Sequence, residues 1–506
     1  MTSLFDQGPP PPCPKRFNMA AHVLGHANAL SEKIALSVLS EPTPQHYSYA
    51  KLQAAILGTG TGLLRTGLIP GDRVLMRLGN TVEFPIAYLA CIAVGLVPVP
   101  TSAQLTAPEV AKMLPTLQPA AILHDVTVPL PDTPTIAVLT TEDLAAMHDL
   151  PAASFHMGDP NRPAYIIYTS GTSGTPRAVM HAHRAIWARQ MMFEGWYGLT
   201  KQDRLLHAGA FNWTFTLGTG LMDPWTIGAT ALIPAPNTDP QELPTLLRQH
   251  RATLFAAAPG VYRKMLETQP DPALPDLRHG LCAGEKLSEP LRTRWNAATG
   301  TKLYEAFGMS ECSTFISANP DHPAPAGTLG RPQKGRRVAI LADQNPTPLN
   351  TPGTIAIHRS DPGLMLEYLN APEATDARFC GEWFLTGDLG QMDAQGHITY
   401  MGRADDMMNA GGFRVSPLEV EATLIAHPEI TSLAVTDVEI KADTYVIAAF
   451  YTADHDIVET DLKAFAATHL ARYKQPRLFR RLPSLPTNAN GKLNRRALRA
   501  LFKASS

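Results

Sequence analysis

The sequence has few cysteines, little excess charge and no long apolar run. Its five cysteines, among 506 residues, are scattered and never spaced CxxC, which argues against a disulfide framework and a zinc site and for a reducing compartment. The formal net charge is -2, and no stretch is dense in lysine and arginine, so neither nucleic acid nor an anionic membrane surface is expected as a partner. We therefore expect an ordinary soluble protein of the cytoplasm.

The longest apolar stretch, from Ile86 to Pro100, is too short to cross a bilayer, and Gly95 and Pro98 interrupt it. A buried helix that leads into a buried strand explains this stretch better, so we expect no transmembrane segment. The N-terminus has no apolar run after a positive segment, which argues against a secretory signal. Its prolines predict an extended tail over residues 1–15.

Apolar, β-rich segments alternate with amphipathic helical ones along most of the chain. Strands are predicted in the segments that begin at Arg73, Leu96, Ala120 and Ala164, and a helix is predicted over residues 107–117. Such alternation favours largely parallel sheets with helices packed against them, and the chain is too long for one core. We predict an α/β fold, with a large N-terminal domain of stacked, largely parallel sheets and a small, mobile α+β C-terminal domain.

The most specific segment begins at Tyr165 and reads YIIYTSGTSGTPRAV. A buried strand leads directly into a loop of glycine and hydroxyl residues, and a helix is predicted after the loop. Glycines let backbone N–H groups turn toward an anion, hydroxyls add donors, and an arginine adds positive charge. The glycine spacing differs from that of the GxxxxGK[ST] loop, and a flexible linker is the alternative. The close succession of strand and loop favours phosphate binding by Thr169, Ser170, Gly171, Thr172, Ser173, Gly174 and Arg177.

Five further segments follow in an order that resembles the adenylate-forming superfamily of acyl-CoA synthetases, firefly luciferase and peptide-synthetase adenylation domains. They are CAGEKLS from Cys282, YEAFGMSECS from Tyr304, GEWFLTGDLG from Gly381, YMGRADDMMNAGGFRVSPLEVE from Tyr400 and LPTNANGKLNRRALR from Leu485. The resemblance covers nearly the whole chain and looks closest to benzoate-CoA ligases and other aryl-acid-activating members. It implies an AMP-forming acid–thiol ligase that uses ATP, Mg²⁺ and coenzyme A and passes through an acyl-AMP.

The resemblance also assigns a role to each matching residue. Ser310 and Glu311 resemble the residues that meet the phosphate and the Mg²⁺, which prefers oxygen ligands. Asp388 resembles the acid that binds both ribose hydroxyls, with Arg403 as its helper, and Lys492 resembles the mobile lysine that bridges the substrate carboxylate and ATP. Four residues resemble the slot in which an aromatic ring stacks on adenine: Gly284, Glu285, Phe307 and Gly308.

After Arg403 the sequence pattern changes to that of a short, mixed α/β module. The resemblance places a hinge there, at Asp405. The predicted division is a tail over residues 1–15, an AMP-binding and acid-binding domain over 16–403, a hinge over 404–406 and a lid domain over 407–506. Gly412 and Arg414 resemble positions that line the CoA channel. No carrier domain follows the Lys492 segment, so free CoA is the favoured acceptor and a separate carrier protein is the alternative. The oligomeric state stays open, a homodimer included.

The identity of the acid depends on the segment AGAFNWTFTLGTG. This segment offers Phe211, Asn212 and Trp213, and Met309 flanks the adenine slot. The neutral Asn212 cannot balance a substrate ammonium, and no lysine or arginine in this segment could pair with a second carboxylate. We predict an aryl, benzoate-like acid, with a medium-chain or cyclic acid as the alternative. The other reading of these aromatic residues is that they belong to the core.

Two positions depart from the family pattern: Ala178 stands where relatives often have glycine, and Asn409 stands where many have lysine. The first change removes backbone freedom and predicts a stiffer phosphate loop. His181 and His183 lie two apart on the predicted helix, hence on different faces, which disfavours a shared metal. A non-catalytic adenylate-binding protein is the remaining alternative, but such a protein would usually have lost Glu311, Asp388 or Lys492.

Overall fold

The contacts in a computed structural model divide the chain into two compact units. The larger unit comprises Phe5–Arg337 and Ile357–Phe384, and the smaller unit comprises Met1–Leu4, Val338–Ala356 and Leu385–Ser506. The predicted α/β class is confirmed. The predicted hinge at residues 404–406 stays a prediction. The structure describes residues 2–39, 43–133, 135–169, 177–236, 238–269, 272–404, 406–410, 413–441, 444–487 and 493–503.

A sheet of nine strands, within the described ranges, forms the centre of the larger unit. Its six central strands run parallel, and antiparallel strands lie at both edges. In order across the sheet, the strands are Arg331–Pro332, Ser313–Ser317, Lys302–Met309, His279–Ala283, Leu254–Ala257, Arg204–His207, Thr230–Pro234, Ile34–Leu39 and Gln45–Ser48. Buried apolar side chains on both faces explain why the central strands read as continuous apolar runs.

A second, four-stranded parallel sheet of the larger unit confirms three predicted strands. Its strands, in order, are Val97–Pro100, Arg73–Arg77, Ala121–His124 and Ala137–Thr140. The stretch from Ile86 to Pro100 is a helix, Glu83–Ala93, followed by one of these strands, and both are buried, as predicted. Among the described residues, no helix is both long and apolar enough for a membrane span.

The helix Ala107–Leu117 shows how local sequence sets an element's ends. The backbone N–H and hydroxyl of Thr106 both donate to Glu109 Oε2 at 2.8 Å, which caps the first turn, and Gln118 ends the helix in a left-handed conformation. The other helices of the larger unit, two of them π-helical turns, are Met19–Val23, Tyr49–Arg65, Glu83–Ala93, Thr141–Met147, Ala185–Ala188, Phe193–Tyr197, Thr216–Met222, Asp223–Ile227, Leu243–Gln249, Pro259–Thr268, Glu289–Thr299 and Pro372–Asp376.

The segment after residues 170–176 is a strand, so the predicted helix there was wrong. The strand Arg177–Ala182 pairs antiparallel with Pro163–Thr169 and, at its other edge, with Glu367–Tyr368. Tyr165 and His181 are partners in this register, and their rings stack at 4.8 Å. The segment Arg177–Ala182 has no strong local preference for helix or strand. It forms a strand because pairing satisfies its backbone hydrogen bonds and buries alternate side chains.

The smaller unit combines strands near Asp388 with the C-terminal part of the chain. The strands that lie wholly or mainly in this unit are Arg337–Ala342, Asn345–Pro346, Gly353–His358, Trp383–Met392, Ile398–Arg403, Met408–Ala410, Phe413–Val415, Ser432–Lys441, Thr444–Thr452 and Leu478–Arg481. The strands Leu4–Asp6 and Phe379–Cys380 lie mainly or wholly in the larger unit. The helices of the smaller unit are Pro417–Leu424, Glu459–His469, Arg472–Lys474 and Arg495–Lys503. Arg495 pairs with Glu421 at 2.6 Å and Arg499 with Asp437 at 2.7 Å, so the basic C-terminal helix uses positive charge within the unit.

Candidate active site

Glu311 lies between the strands Lys302–Met309 and Ser313–Ser317 and is held by two hydrogen bonds. The Tyr368 hydroxyl donates to Glu311 Oε1 at 2.6 Å, and Met365 N donates to the Glu311 carbonyl at 2.7 Å. Burial, and then the charge of Glu311, raises the pKa of Tyr368, so this phenol stays protonated and can donate. The Arg177 guanidinium lies 4.8 Å from the centre of the Tyr368 ring. The larger unit thus brings two predicted site residues, Arg177 and Glu311, to one tyrosine.

Glu311 fits the predicted role of a Mg²⁺ ligand. Its Oε2 accepts no hydrogen bond from the residues that the structure describes, while Oε1 is fixed by the phenol. Mg²⁺ binds through one or two carboxylates together with substrate phosphates. Across the described ranges, no group of three or more His, Cys, Asp or Glu residues could hold a metal. Phosphate oxygens are among the ligands that could complete the coordination of a cation at Glu311.

The four residues predicted to form the adenine slot lie at the ends of two neighbouring strands, two of them within a strand and two directly after one. Ala283 and Ala306 are partners in parallel strands, Gly284 and Glu285 follow directly after Ala283, and Phe307 and Gly308 follow Ala306. Gly284 has a φ of +95°, which a residue with a side chain rarely adopts. A Cβ on Gly308 would lie 2.2 Å from the Ser313 carbonyl, so only glycine fits there.

A buried glutamate holds the turn on one side of this slot. Glu305 Oε1 accepts a hydrogen bond from Leu287 N at 2.9 Å, and Arg292 lies 3.3 Å from Oε2. Burial raises the pKa of Glu305 from 4.5 to about 7, although the Leu287 hydrogen bond and Arg292 oppose the shift. The folded state therefore holds this proton more tightly than the unfolded chain does.

The Glu305→Gln substitution should change how stability depends on pH. Because the folded pKa is raised, the free energy of unfolding of the native protein falls as pH rises from about 4.5 to about 7, by up to about 1.4 kcal/mol per pH unit. A neutral glutamine removes this dependence, so the variant should melt near the native protein at pH 5 and above it at pH 8. Thermal unfolding at both pH values measures the difference, with Glu267→Gln, at an exposed position, as control. An equal difference at both pH values would contradict the assignment.

In the smaller unit, Asp388 is paired with the arginine that the sequence predicted. Asp388 and Arg403 are partners in antiparallel strands, and Arg403 Nη1 lies 3.5 Å from Asp388 Oδ2. The Tyr400 hydroxyl donates to Asp388 Oδ1 at 3.0 Å, and Asp388 N donates to the Thr386 hydroxyl at 3.1 Å. These contacts hold a nearly buried carboxylate in one orientation, which suits binding of two neighbouring hydroxyls.

Several predicted site residues lie outside the described residues, and their roles stay predictions. Thr169 and Arg414 belong to described strands, but their side chains are not described. The residues outside the described ranges are Ser170, Gly171, Thr172, Ser173, Gly174, Asp405, Gly412 and Lys492.

A cavity of the larger unit lies against the residues next to Glu311. Ser310 and Ser313 line it, together with Thr214 and Leu217 from the segment that was predicted to bind the acid. Its free volume is about 20 Å³, so the walls must open before an aromatic ring can enter. The other residues predicted for the acid pocket do not line this cavity, and their assignment stays a prediction: Phe211, Asn212, Trp213 and Met309. Phe211 is buried against Phe84, and Trp213 packs edge-on to Phe215.

Arg189 also lines the cavity, and its charge is neutralised there. Its Nε and Nη2 donate to the two carboxylate oxygens of Asp223 at 2.8 and 2.6 Å, and Nη1 donates to Ser313 Oγ. A Cβ on Gly218 would lie 2.2 Å from the guanidinium carbon, so the glycine makes room for this ion pair. Such a bidentate pair leaves no uncompensated positive charge at the cavity.

Together, this fold and these residues define an AMP-binding enzyme, and the chain belongs to the AMP-binding enzyme family. The family model matches residues 25–369, and the model of the AMP-binding enzyme C-terminal domain matches residues 419–492.

Among its relatives, the benzoate–CoA ligase of Thauera aromatica is 30% identical, over 98% of this chain and 99% of that protein. The 3-hydroxybenzoate–CoA ligase of Aromatoleum sp. (strain CIB) is 29% identical, over 90% of this chain and 92% of that protein. The crystal structure of a benzoate CoA ligase from Burkholderia xenovorans LB400 is similar at a TM-score of 0.85 and 26% identity, over 96% of this chain and all of that one.

Sequence reasoning missed several residues that contact the predicted ones. Tyr368 and Tyr400 each donate a hydrogen bond to a predicted carboxylate. Tyr400 could have been identified from the sequence, because it is the first residue of one of the matched segments. Tyr368 is in no matched segment, and it lies 57 residues from its partner Glu311. His181 and Arg189 carry no local signal for lining a cavity, because the register of a strand and a buried ion pair bring them there.

Proposed function

We propose that this protein is an ATP-dependent aryl-acid–CoA ligase that forms an acyl-AMP and then a thioester. The observation that carries the proposal is the cluster of Arg177, Tyr368 and Glu311, next to a cavity that Ser310 lines. A guanidinium suits a polyphosphate, and a fixed carboxylate suits the accompanying cation. Membership of the AMP-binding enzyme family and relatives named as benzoate–CoA and hydroxybenzoate–CoA ligases support the same reaction.

In the first step, a carboxylate oxygen of the acid attacks the α-phosphorus of ATP, and pyrophosphate leaves. We assign Arg177 and the preceding loop to the phosphates, Asp388 to the ribose hydroxyls and Lys492 to the two reacting anions. Glu311 would hold Mg²⁺, which, when bound, neutralises phosphate charge as pyrophosphate departs. In the second step, the thiolate sulfur of CoA attacks the acyl carbon, and AMP leaves. A lid that turns about residues 404–406 would separate the two steps.

The cavity supports an aryl monocarboxylic acid as the substrate. Its walls include aromatic and aliphatic side chains, such as Tyr88, Ile167 and Leu217. Its one arginine, within the described ranges, is bound to Asp223 through both carboxylate oxygens, so a second carboxylate on the acid would find no free positive charge. Met19 and Met222 also line the cavity, and their flexible side chains can rearrange when a ring enters.

The purified protein should convert ATP, Mg²⁺, CoA and benzoate-like acids to acyl-CoA, AMP and pyrophosphate in equal amounts. A panel of benzoates, medium-chain acids, cyclic acids and dicarboxylates, with AMP and thioester measured together, tests this. Benzoates should give the highest rates of AMP and thioester formation in the panel, and dicarboxylates should give the lowest. Without CoA, acid-dependent exchange of pyrophosphate into ATP should persist, because the first step needs no thiol. ADP and phosphate as products, or no turnover across the panel, would rule out the proposal.

A further inference from the structure

The cavity beside Ser310 is lined by polar as well as apolar side chains, and one polar atom there lacks a partner among the described residues. His181 lines the cavity, is only 2% exposed and stacks on Tyr165. Its Nε2 lies 2.7 Å from the Ser310 carbonyl, whereas its Nδ1 is buried with no hydrogen-bond partner among the described residues. A buried polar atom without a partner is uncommon, because it costs about 1–3 kcal/mol.

The Ser310 carbonyl also decides which nitrogen of His181 carries the proton. A carbonyl oxygen only accepts hydrogen bonds, so the Nε2 at 2.7 Å must be the donor. Burial lowers the pKa of His181 to about 4, so the ring is neutral in a neutral buffer. A neutral ring protonated on Nε2 has a lone pair on Nδ1. The group without a partner is therefore an acceptor, and what it needs is a donor.

The other polar groups at the cavity restrict what that donor can be. Arg189 is occupied by Asp223 and Ser313, with Tyr197 and Thr219 at 3.2 Å from Nη2. Ser313 has a φ of +64°, and its hydroxyl accepts from Arg189, so its own proton remains to be donated. The hydroxyls of Tyr88, Tyr165, Thr214 and Ser310 also line the cavity, and each of them can donate or accept. Within the described lining, the lone pair on His181 Nδ1 can only accept, and the paired Arg189 leaves no net charge. This combination suits a neutral group that can donate, such as a hydroxyl or an amino group.

We propose that the cavity selects aryl acids whose ring carries a hydroxyl or amino group, and that His181 Nδ1 accepts the hydrogen bond from this group. The inference rests on the proposed function and adds the substrate subclass and the residue that determines it. Unsubstituted benzoate would leave Nδ1 unpaired. A second carboxylate on the acid would place another hydrogen-bond acceptor next to His181 Nδ1, and neither group could donate. Sites built to bind a substrate hydroxyl discriminate strongly against analogues that lack it.

The first experiment uses the native protein and varies the acid. We expect at least one hydroxybenzoate or aminobenzoate isomer to exceed benzoate in kcat/KM by about tenfold, the ratio that one net hydrogen bond provides. The matching fluorobenzoate, whose substituent is small and cannot donate, should stay near benzoate. If benzoate or the fluorobenzoate equals the best donor-bearing isomer, the inference fails while the ligase function stands. If no acid yields AMP, the ligase function itself fails.

The second experiment removes only the Nδ1 acceptor. In His181→Gln, the side-chain amide N–H can still donate to the Ser310 carbonyl, but no acceptor remains at the Nδ1 position. We expect kcat/KM for the preferred acid to fall about tenfold and that for benzoate to change less than about twofold. His279→Gln is the matched control, since His279 Nε2 likewise lies 2.7 Å from a backbone carbonyl, that of Tyr197, and His279 does not line the cavity. The control variant should affect both acids equally. If His181→Gln also slows both acids equally, His181 has a structural role only.

Discussion

Replacing Lys492 with alanine should nearly abolish formation of the acyl-AMP and leave thioester formation almost intact. In the first step, negative charge is concentrated on the α-phosphate and the approaching carboxylate, and one placed positive charge at such a point is typically worth about 10²–10³ in rate. The second step starts from the acyl-AMP, in which the former carboxylate is an uncharged acyl group, so no positive charge is needed between two reacting anions. Pyrophosphate exchange measures the first step, and conversion of supplied acyl-AMP and CoA to thioester measures the second.

Lys503→Ala is the matched control for this experiment, because it removes the same charge from the same unit. Lys503 lies at the end of the C-terminal helix, pairs with Glu439 at 2.9 Å and is largely exposed, so both half-reactions should be unchanged. Asp405→Pro should have the opposite effect to Lys492→Ala, because proline restricts φ at the predicted hinge and should impair thioester formation more than adenylation. If Lys492→Ala slows both halves equally, alternation of the lid is the wrong mechanism.

The substitution Glu311→Gln should reduce acyl-AMP formation by about 10²–10³, the cost of losing a charge placed for the transition state. Glutamine keeps the size of the side chain and can still accept the Tyr368 hydrogen bond, but it cannot bind a divalent cation as a carboxylate does. The requirement for Mg²⁺ should therefore rise, and added Mg²⁺ should restore part of the rate. Initial rates of pyrophosphate release over a Mg²⁺ titration measure both effects.

Two further variants separate charge from hydrogen bonding at Glu311. Tyr368→Phe removes the 2.6 Å hydrogen bond and keeps the carboxylate, so it should cost no more than about tenfold and leave the Mg²⁺ dependence nearly unchanged. Glu367→Gln changes an exposed neighbour of Tyr368 and should have no effect. A Mg²⁺ dependence that is the same in Glu311→Gln and in the native protein would show that Glu311 does not hold the cation.

The elements that the sequence predicted correctly are those that local pattern alone determines. The helix over residues 107–117 has its own capping residues and its own apolar face, and the strand Arg73–Arg77 has three consecutive apolar residues at its centre. The helix predicted after residues 170–176 was wrong, because the residues from Arg177 to Ala182 take their conformation from a partner strand. A local sequence pattern does not show which strand will be the pairing partner.

The residues of the candidate site also form two groups: those that a matched segment identifies and those that only the three-dimensional structure brings together. Glu311, Asp388 and Arg403 stand in matched segments, and the structure places the last two opposite each other in paired strands. Tyr368 could not be found in this way, since only the register of the Glu367–Tyr368 strand places its hydroxyl at Glu311. The cavity is harder still to predict, because its lining comes from segments near residues 19, 88, 165, 189, 214 and 310.

The ion pair of Arg189 and Asp223 has a consequence for altering the acid range by directed evolution. Gly218 tolerates no side chain beside this guanidinium, and removing either charge would leave the other buried and unpaired, which typically costs 3–5 kcal/mol. A mutant library that varies these three positions would mostly contain destabilised proteins. His181 and Thr214 line the same cavity without carrying charge, so variation there can exchange one acid for another while the ion pair stays intact.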